Sequence, residues 1–180
     1  MIASATSPLS NQNNMFKELA VLSTDIHIKQ CALIISLRCN LKCKLCLVYA
    51  PYYQHPKDYT LEELSAAVDG YFGIIDSCGT INIQGGEPLL HAKLPEILLK
   101  VLQYRDKIGK VLLTTNGTLV PSRAVLDVLV LHREMVQVNI SNYGLQLSKR
   151  VPEVTDVLKC RGIPYHVIPY HGEHIHYGGG

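Results

Sequence analysis

Five short apolar runs punctuate this chain: "ALIISL" at 32–37, "TINIQ" at 80–84, "KVLLTTNG" at 110–117, "VQVNIS" at 136–141 and "PYHVIPY" at 164–170. Each is short and nearly continuous, as strands buried on both faces are. Between them lie stretches with helical periodicity. One opens at Thr60, where "TLEE" sets Glu63 three residues after a capping Thr. Leu61, Leu64, Val68, Tyr71, Phe72 and Ile75 then fall on one stripe. Further helices are predicted over about 94–106 (with Leu94, Leu98, Val101 and Leu102 on one side), from Pro121 to about Arg133, and from about Ser148 to Cys160. Pro152 falls in or near the first turn of the last, where it is tolerated, and Gly162 is a natural stop. Alternation of strand and helix with short links predicts an α/β fold whose sheet is mostly parallel, with right-handed crossovers.

In such sheets the functional residues gather beyond the carboxyl ends of the strands. The unusual residues of this chain sit at those ends. Three cysteines follow the first run, "GGEP" the second, "TNG" closes the third and "SNYG" ends the fourth.

Cys39, Cys43 and Cys46 have the spacing C-x3-C-x2-C. A cubane iron–sulfur cluster usually takes four cysteine ligands. Three from one loop can hold three irons and leave the fourth to a ligand that is not protein. Zinc is the competing occupant, with His55 or a distant histidine as a fourth ligand. Three incidental thiols are the bland alternative, and their clustering at the mouth of a parallel sheet weighs against it.

The cysteine loop after strand one, GGEP after strand two, the TNG turn and the strand alternation together resemble the radical S-adenosylmethionine (radical SAM) superfamily, over about residues 30–170. The resemblance implies a partial (β/α) barrel with about five strands present of an expected six. It implies that Cys39, Cys43 and Cys46 ligate a [4Fe–4S] cluster, and that S-adenosylmethionine chelates the open iron. One electron would cleave the sulfonium to a 5′-deoxyadenosyl radical, which abstracts hydrogen from a small-molecule or peptide substrate. The electron would come from a donor such as a flavodoxin or ferredoxin. Gly85, Gly86, Glu87 and Pro88 are expected at the methionine ammonium, with Glu87 adding a negative charge. Asn116, beside Thr115 and Gly117, is expected to line the cofactor or substrate cavity, and Ser141, with less weight Asn142, to meet the ribose hydroxyls. Leu45 departs from the family pattern, which sets an aromatic residue before the third cysteine near the adenine; the stacking contribution is lost there. Tyr49, Tyr52 and Tyr53 either cover the cofactor or pack the loop, and packing is expected for two of them.

Composition narrows the remaining choices. The 180 residues carry a formal charge of +2, too small for a nucleic-acid-binding surface. No apolar run reaches the ~20 residues of a membrane span, and the opening residues do not read as a secretory signal. A reducing cytoplasm is expected, with Cys31, Cys78 and Cys160 as buried free thiols. Residues 1–29 are expected to form a flexible leader, 30–170 the core domain, and 171–180 a solvated tail that holds His171, His174 and His176. Truncation is the expected reason for a strand count below six. Two further readings stay open: a zinc or iron–sulfur module without catalysis, and a truncated relative that converts no substrate.

Overall fold

A computed structural model describes residues 25–144 and 146–170. The expectations for residues 1–24 and for the three histidines of 171–180 lie outside the described residues. Five strands form one parallel sheet: β1 (His27–Ile34), β2 (Ser77–Gln84), β3 (Ile108–Thr115), β4 (Val136–Asn142) and β5 (Tyr165–Pro169). Their spatial order is their chain order, and every neighbouring pair is parallel. The strands alternate with helices α1 (Leu61–Ile74), α2 (Leu94–Leu102), α3 (Arg123–Leu131) and α4 (Val151–Cys160). Each crossover steps in the same direction, so one hand of connection sets all four helices on one face. The result is an unclosed arc of a (β/α) barrel.

Side chains alternate cleanly across this arc. Ile81, Ile83, Val111, Leu113, Val138 and Ile140 point to the helices and join Phe72, Leu98, Val101, Leu129, Val154 and Leu158 in one buried core. The residues between them are half-buried and mostly polar: Asn82, Gln84, Thr114, Gln137 and Asn139. They bond to one another, Thr114 Oγ1 to Asn82 Oδ1 at 2.8 Å, Asn82 Nδ2 to Gln84 Oε1 at 3.0 Å, and Gln137 Nε2 to Asn139 Oδ1 at 2.9 Å. The inner face is therefore a polar surface, and the outer face carries the hydrophobic stabilisation.

The helix ends follow local chemistry. Thr60 Oγ1 accepts the Glu63 N–H while Glu63 accepts the Thr60 N–H, a closed capping box. At the other end of α1, Lys107 Nζ donates to the carbonyls of Phe72 (2.7 Å) and Ile75 (2.8 Å). Several boundaries differ from expectation, β2 and β3 among them, which begin at Ser77 and Ile108. β1 begins at His27, before the apolar run, because its pairing with β2 starts at His27↔Ser77; the expected leader boundary at residue 29 thus falls inside a strand. α2 stops at Leu102 and a 3-10 turn, Arg105–Lys107, finishes the predicted helix. α3 starts at Arg123, capped by the Ser122 hydroxyl, and α4 at Val151, since Ser148 is engaged elsewhere. Cys78 is buried, with its sulfur 3.6 Å from that of half-buried Cys31, whereas Cys160 is exposed on the last turn of α4, contrary to expectation. No helix among the described residues is long and apolar enough to cross a membrane.

Candidate functional site

The loops after the strands meet over a cavity of about 410 Å³. Of the residues expected there, Cys39, Cys43, Cys46, Leu45, Gly85, Gly86, Asn116 and Ser141 line it; Glu87 and Pro88 do not.

The cysteine loop is anchored at its root. Ser36 forms an isolated bridge with Asp58, donates its hydroxyl to that carboxylate at 2.5 Å and accepts the Arg38 N–H at 2.9 Å. The Arg38 guanidinium reaches Asp58 and the Leu90 carbonyl, each at 2.7 Å. Beyond this root the loop turns its sulfurs inward and aims backbone N–H groups at them, Leu41 at Cys39 and Ala50 at Cys46, each at 3.4 Å. The second contact follows from Tyr49, which holds a left-handed backbone (φ 55°). Burial pushes the Cys39 thiol up, with the Glu87 carboxylate and Cys46 adding to it. Cys43 is pushed up to about 11 by burial and by its two neighbouring cysteines. Both shifts disfavour the thiolates of Cys39 and Cys43, so a cationic group beside them is needed to hold both charged. Among the described residues no three His, Cys, Asp or Glu side chains converge as the ligands of a single ion do. Three thiols on one cavity, in a loop that supplies no fourth cysteine, suit a cluster that keeps one iron open better than a zinc that takes four ligands.

GGEP forms the facing wall. The Gly86 N–H donates to the Ser36 carbonyl and the Glu87 N–H to the Arg38 carbonyl, both at 2.8 Å, so this turn lies flat against the root of the cysteine loop. Glu87 departs from its expected place at a ligand ammonium. Its carboxylate is fully buried and turned away from the cavity. It accepts the Thr115 hydroxyl at 2.8 Å, the Asn116 N–H at 2.7 Å and the Leu89 N–H at 3.0 Å. Burial pushes this carboxyl up, and the three donors pull back against it. Glu87 thus braces GGEP against the TNG turn. Pro88 opens the short 3-10 turn that follows and is buried behind it.

Asn116 lines the cavity but spends its side chain on the cysteine loop. Its Nδ2 donates to Asn40 Oδ1 at 2.9 Å and lies 3.7 Å from Cys39 Sγ. Ser148, missed by sequence reading, is buried behind it. Its hydroxyl donates to the Asn116 carbonyl at 2.7 Å and accepts the Tyr143 N–H at 3.0 Å, which ties the ends of β3 and β4 together. Nothing in a polar residue ahead of a helix distinguishes this role from an ordinary cap. Ser148→Ala leaves both groups unpaired in a buried place, and unfolding titration is expected to show a loss of about 2 kcal/mol.

Two aromatic residues at the cavity also went unforeseen. Tyr143 and Tyr170 line it with ring centroids 4.9 Å apart. Burial pushes the Tyr143 phenol up to about 12, so it stays neutral. The tyrosines singled out from the sequence behave otherwise: Tyr49, Tyr52 and Tyr53 are exposed and off the cavity, and Tyr49 and Tyr52 contact each other. The packing expected for two of the three is thus limited to that pair. Leu45 stands at the rim, 62% exposed.

The family model for the radical SAM superfamily matches residues 33–148, more than half of the chain. The chain belongs to the radical SAM superfamily. Members of this superfamily use a [4Fe–4S] cluster and S-adenosylmethionine. A probable GTP 3′,8-cyclase from Methanococcus maripaludis is 36% identical over 99 residues, covering 54% of this chain and 31% of that protein. Two solved radical SAM structures share the fold. BtrN in complex with AdoMet and 2-DOIA superposes with a TM-score of 0.62 at 16% identity, over 82% of this chain and 58% of that one. Native anSMEcpe with bound AdoMet and the Cp18Cys peptide gives 0.59 at 21% identity, over 78% and 42%. The chain spans about a third of the length of the curated radical SAM relative.

Proposed function

We propose that this chain binds a [4Fe–4S] cluster through Cys39, Cys43 and Cys46, and S-adenosylmethionine against Gly85, Gly86 and Ser141. On this reading it takes part in reductive cleavage of the cofactor and hydrogen abstraction from a small-molecule or peptide substrate. The observation that carries the reading is that the three cysteine loop sulfurs and the side-chain-free backbone of Gly85–Gly86 wall one cavity. When bound, cluster and cofactor supply the one-electron chemistry that yields a 5′-deoxyadenosyl radical.

The chain's own residues hold and enclose. Gly85 and Gly86 pack their backbone against the root of the cysteine loop, where a Cβ would meet the carbonyls of Ser36 and Arg38, and the main chain held there lines the cavity where a ligand's amino group can bind. The buried Ser141 hydroxyl faces the same space, where it suits a sugar hydroxyl. Tyr143 and Tyr170 offer an aromatic wall that the leucine at position 45 cannot. Lys42 and Lys44 are exposed on the cysteine loop, whose Arg38 is paired with Asp58, and no carboxylate occurs from residue 37 to 57. A positive collar of this kind suits an acidic electron carrier, such as a flavodoxin or ferredoxin.

Anaerobic reconstitution with iron and sulfide, followed by S-adenosylmethionine and a strong reductant, tests the proposal. The expected product is 5′-deoxyadenosine, detected by chromatography. Cys43→Ala is expected to lose the cluster absorption and at least ~10²-fold of the product, since second-sphere losses alone reach ~10–100-fold. A four-iron, normally coloured Cys43→Ala protein would overturn the ligand assignment, and a colourless zinc-loaded wild type would overturn the reading as a whole.

A further inference from the structure

Ligation of a cluster gives no task to Asn40 and Thr118, yet these two residues and Asn116 close a ring. Asn116 Nδ2 donates to Asn40 Oδ1 at 2.9 Å, Asn40 Nδ2 to Thr118 Oγ1 at 2.7 Å, and Thr118 Oγ1 to Asn116 Oδ1 at 2.6 Å. Each member donates once and accepts once around the ring, so each bond polarises the next. The direction of the Asn116 amide is fixed independently. The Thr118 backbone N–H lies 3.0 Å from one end of it. A backbone N–H can only donate, so that end is the oxygen. The NH₂ end therefore faces the cysteine loop. One of its protons serves Asn40, and the other is left for Cys39 Sγ at 3.7 Å.

We propose that Asn116 is a positioning residue that raises the reduction potential of the cluster, by donating an N–H to the Cys39 sulfur from this ring. The proposal rests on Cys39 being a cluster ligand, as read above. Reduction adds negative charge that spreads over the thiolate sulfurs, and a donor aimed at a sulfur stabilises the reduced form. Asn116 is only 7% exposed, so solvent screens the contact little. The sulfurs are unequally served: Cys39 receives Leu41 N–H and Asn116, Cys46 receives Ala50 N–H, and no donor to Cys43 is found among the described residues. The backbone donors come with the loop. Asn116 is the side-chain donor, so it is the one that substitution can remove.

The test is a reductive titration of the reconstituted full chain, without S-adenosylmethionine, followed by electron paramagnetic resonance. Asn116→Leu keeps approximate volume and removes the donor; its midpoint potential is expected to be more negative than that of the wild type. Asn40→Ala breaks the ring but leaves Asn116 Oδ1 pinned by Thr118 and the donor in place, so its potential is expected to fall by less than that of Asn116→Leu. A merely structural role would shift both variants alike or neither, and either result overturns the proposal. If Asn116→Leu assembles no cluster, the Asn40→Ala protein with ¹⁵N in its asparagine side-chain amides replaces it. A ¹⁵N hyperfine coupling to the reduced cluster is expected there, and its absence overturns the proposal. A wild-type chain that assembles no cluster at all overturns the underlying reading, and this inference falls with it.

Discussion

Glu87→Ala is expected to lose about 3–9 kcal/mol of folding stability, the largest loss from any single side chain at the site. The estimate follows from three donors that converge on one buried carboxylate: the Thr115 hydroxyl and the N–H groups of Leu89 and Asn116. Each donor left unpaired costs about 1–3 kcal/mol, against a total of roughly 5–15 kcal/mol for an ordinary domain. Denaturant titration of the cluster-free chain measures it; a loss below about 1 kcal/mol would show that Glu87 braces nothing. The carboxyl also has a pH signature. Burial raises its folded-state pKa above the unfolded value of about 4.3. The folded chain therefore holds this proton more tightly than the unfolded one. The resulting stabilisation is fully present below about pH 4.3 and is lost as pH rises through the folded pKa. Glu87→Gln cannot titrate, so the wild type should lose stability relative to it as pH rises. The opposite slope would mean that the three hydrogen bonds outweigh burial.

Gly86→Ala is the second large effect, and it reaches the cysteine loop directly. A Cβ at Gly86 would overlap the Arg38 carbonyl and stand 2.9 Å from the Cys39 nitrogen. Both are backbone atoms, so no side chain can swing aside. Overpacking of this kind costs about 1–3 kcal/mol, or roughly 2–12 °C in melting temperature for a chain of this size. Relief requires GGEP and the cysteine loop to separate, which moves Cys39 away from Cys43 and Cys46. Iron content after reconstitution should therefore fall by more than the stability loss explains. Gly144→Ala is a useful control, since its added methyl meets nothing within 4 Å although its backbone is left-handed (φ 88°). If Gly86→Ala matches that control in iron content, the close approach has no functional weight.

Much of this arrangement was legible in the chain itself. Strand and helix periodicity located all five strands and four helices, and the thiols at the end of the first strand came with their spacing. What escaped was direction. A sequence places Glu87 at the end of a strand but does not say whether its carboxylate faces the cavity or the TNG turn; that is decided by two backbone N–H groups from residues 89 and 116. Asn116 likewise reads as the front half of an Asn-Gly turn. Its Oδ1 is held locally by Thr118, but what its Nδ2 meets is decided by Asn40, 76 positions away. Tyr143 and Tyr170 meet only because β4 and β5 are neighbours in register, Asn142↔Pro169. The three tyrosines near the cysteines looked better placed on proximity along the chain, and proximity along the chain was a poor guide to the cavity.

The strict alternation along β2, β3 and β4 has an evolutionary consequence. Ile81, Ile83, Leu113 and Val138 sustain the fold, while Asn82, Gln84, Thr114 and Asn139, their immediate chain neighbours, furnish the opposite surface. Neighbouring codons thus answer to different selection pressures. A lineage can rewrite the polar row, exchanging one set of mutually bonded amides and hydroxyls for another, while leaving the packed row untouched. An arc built this way can acquire a new guest through a few substitutions at every second position of three strands, with little risk of unfolding along the way.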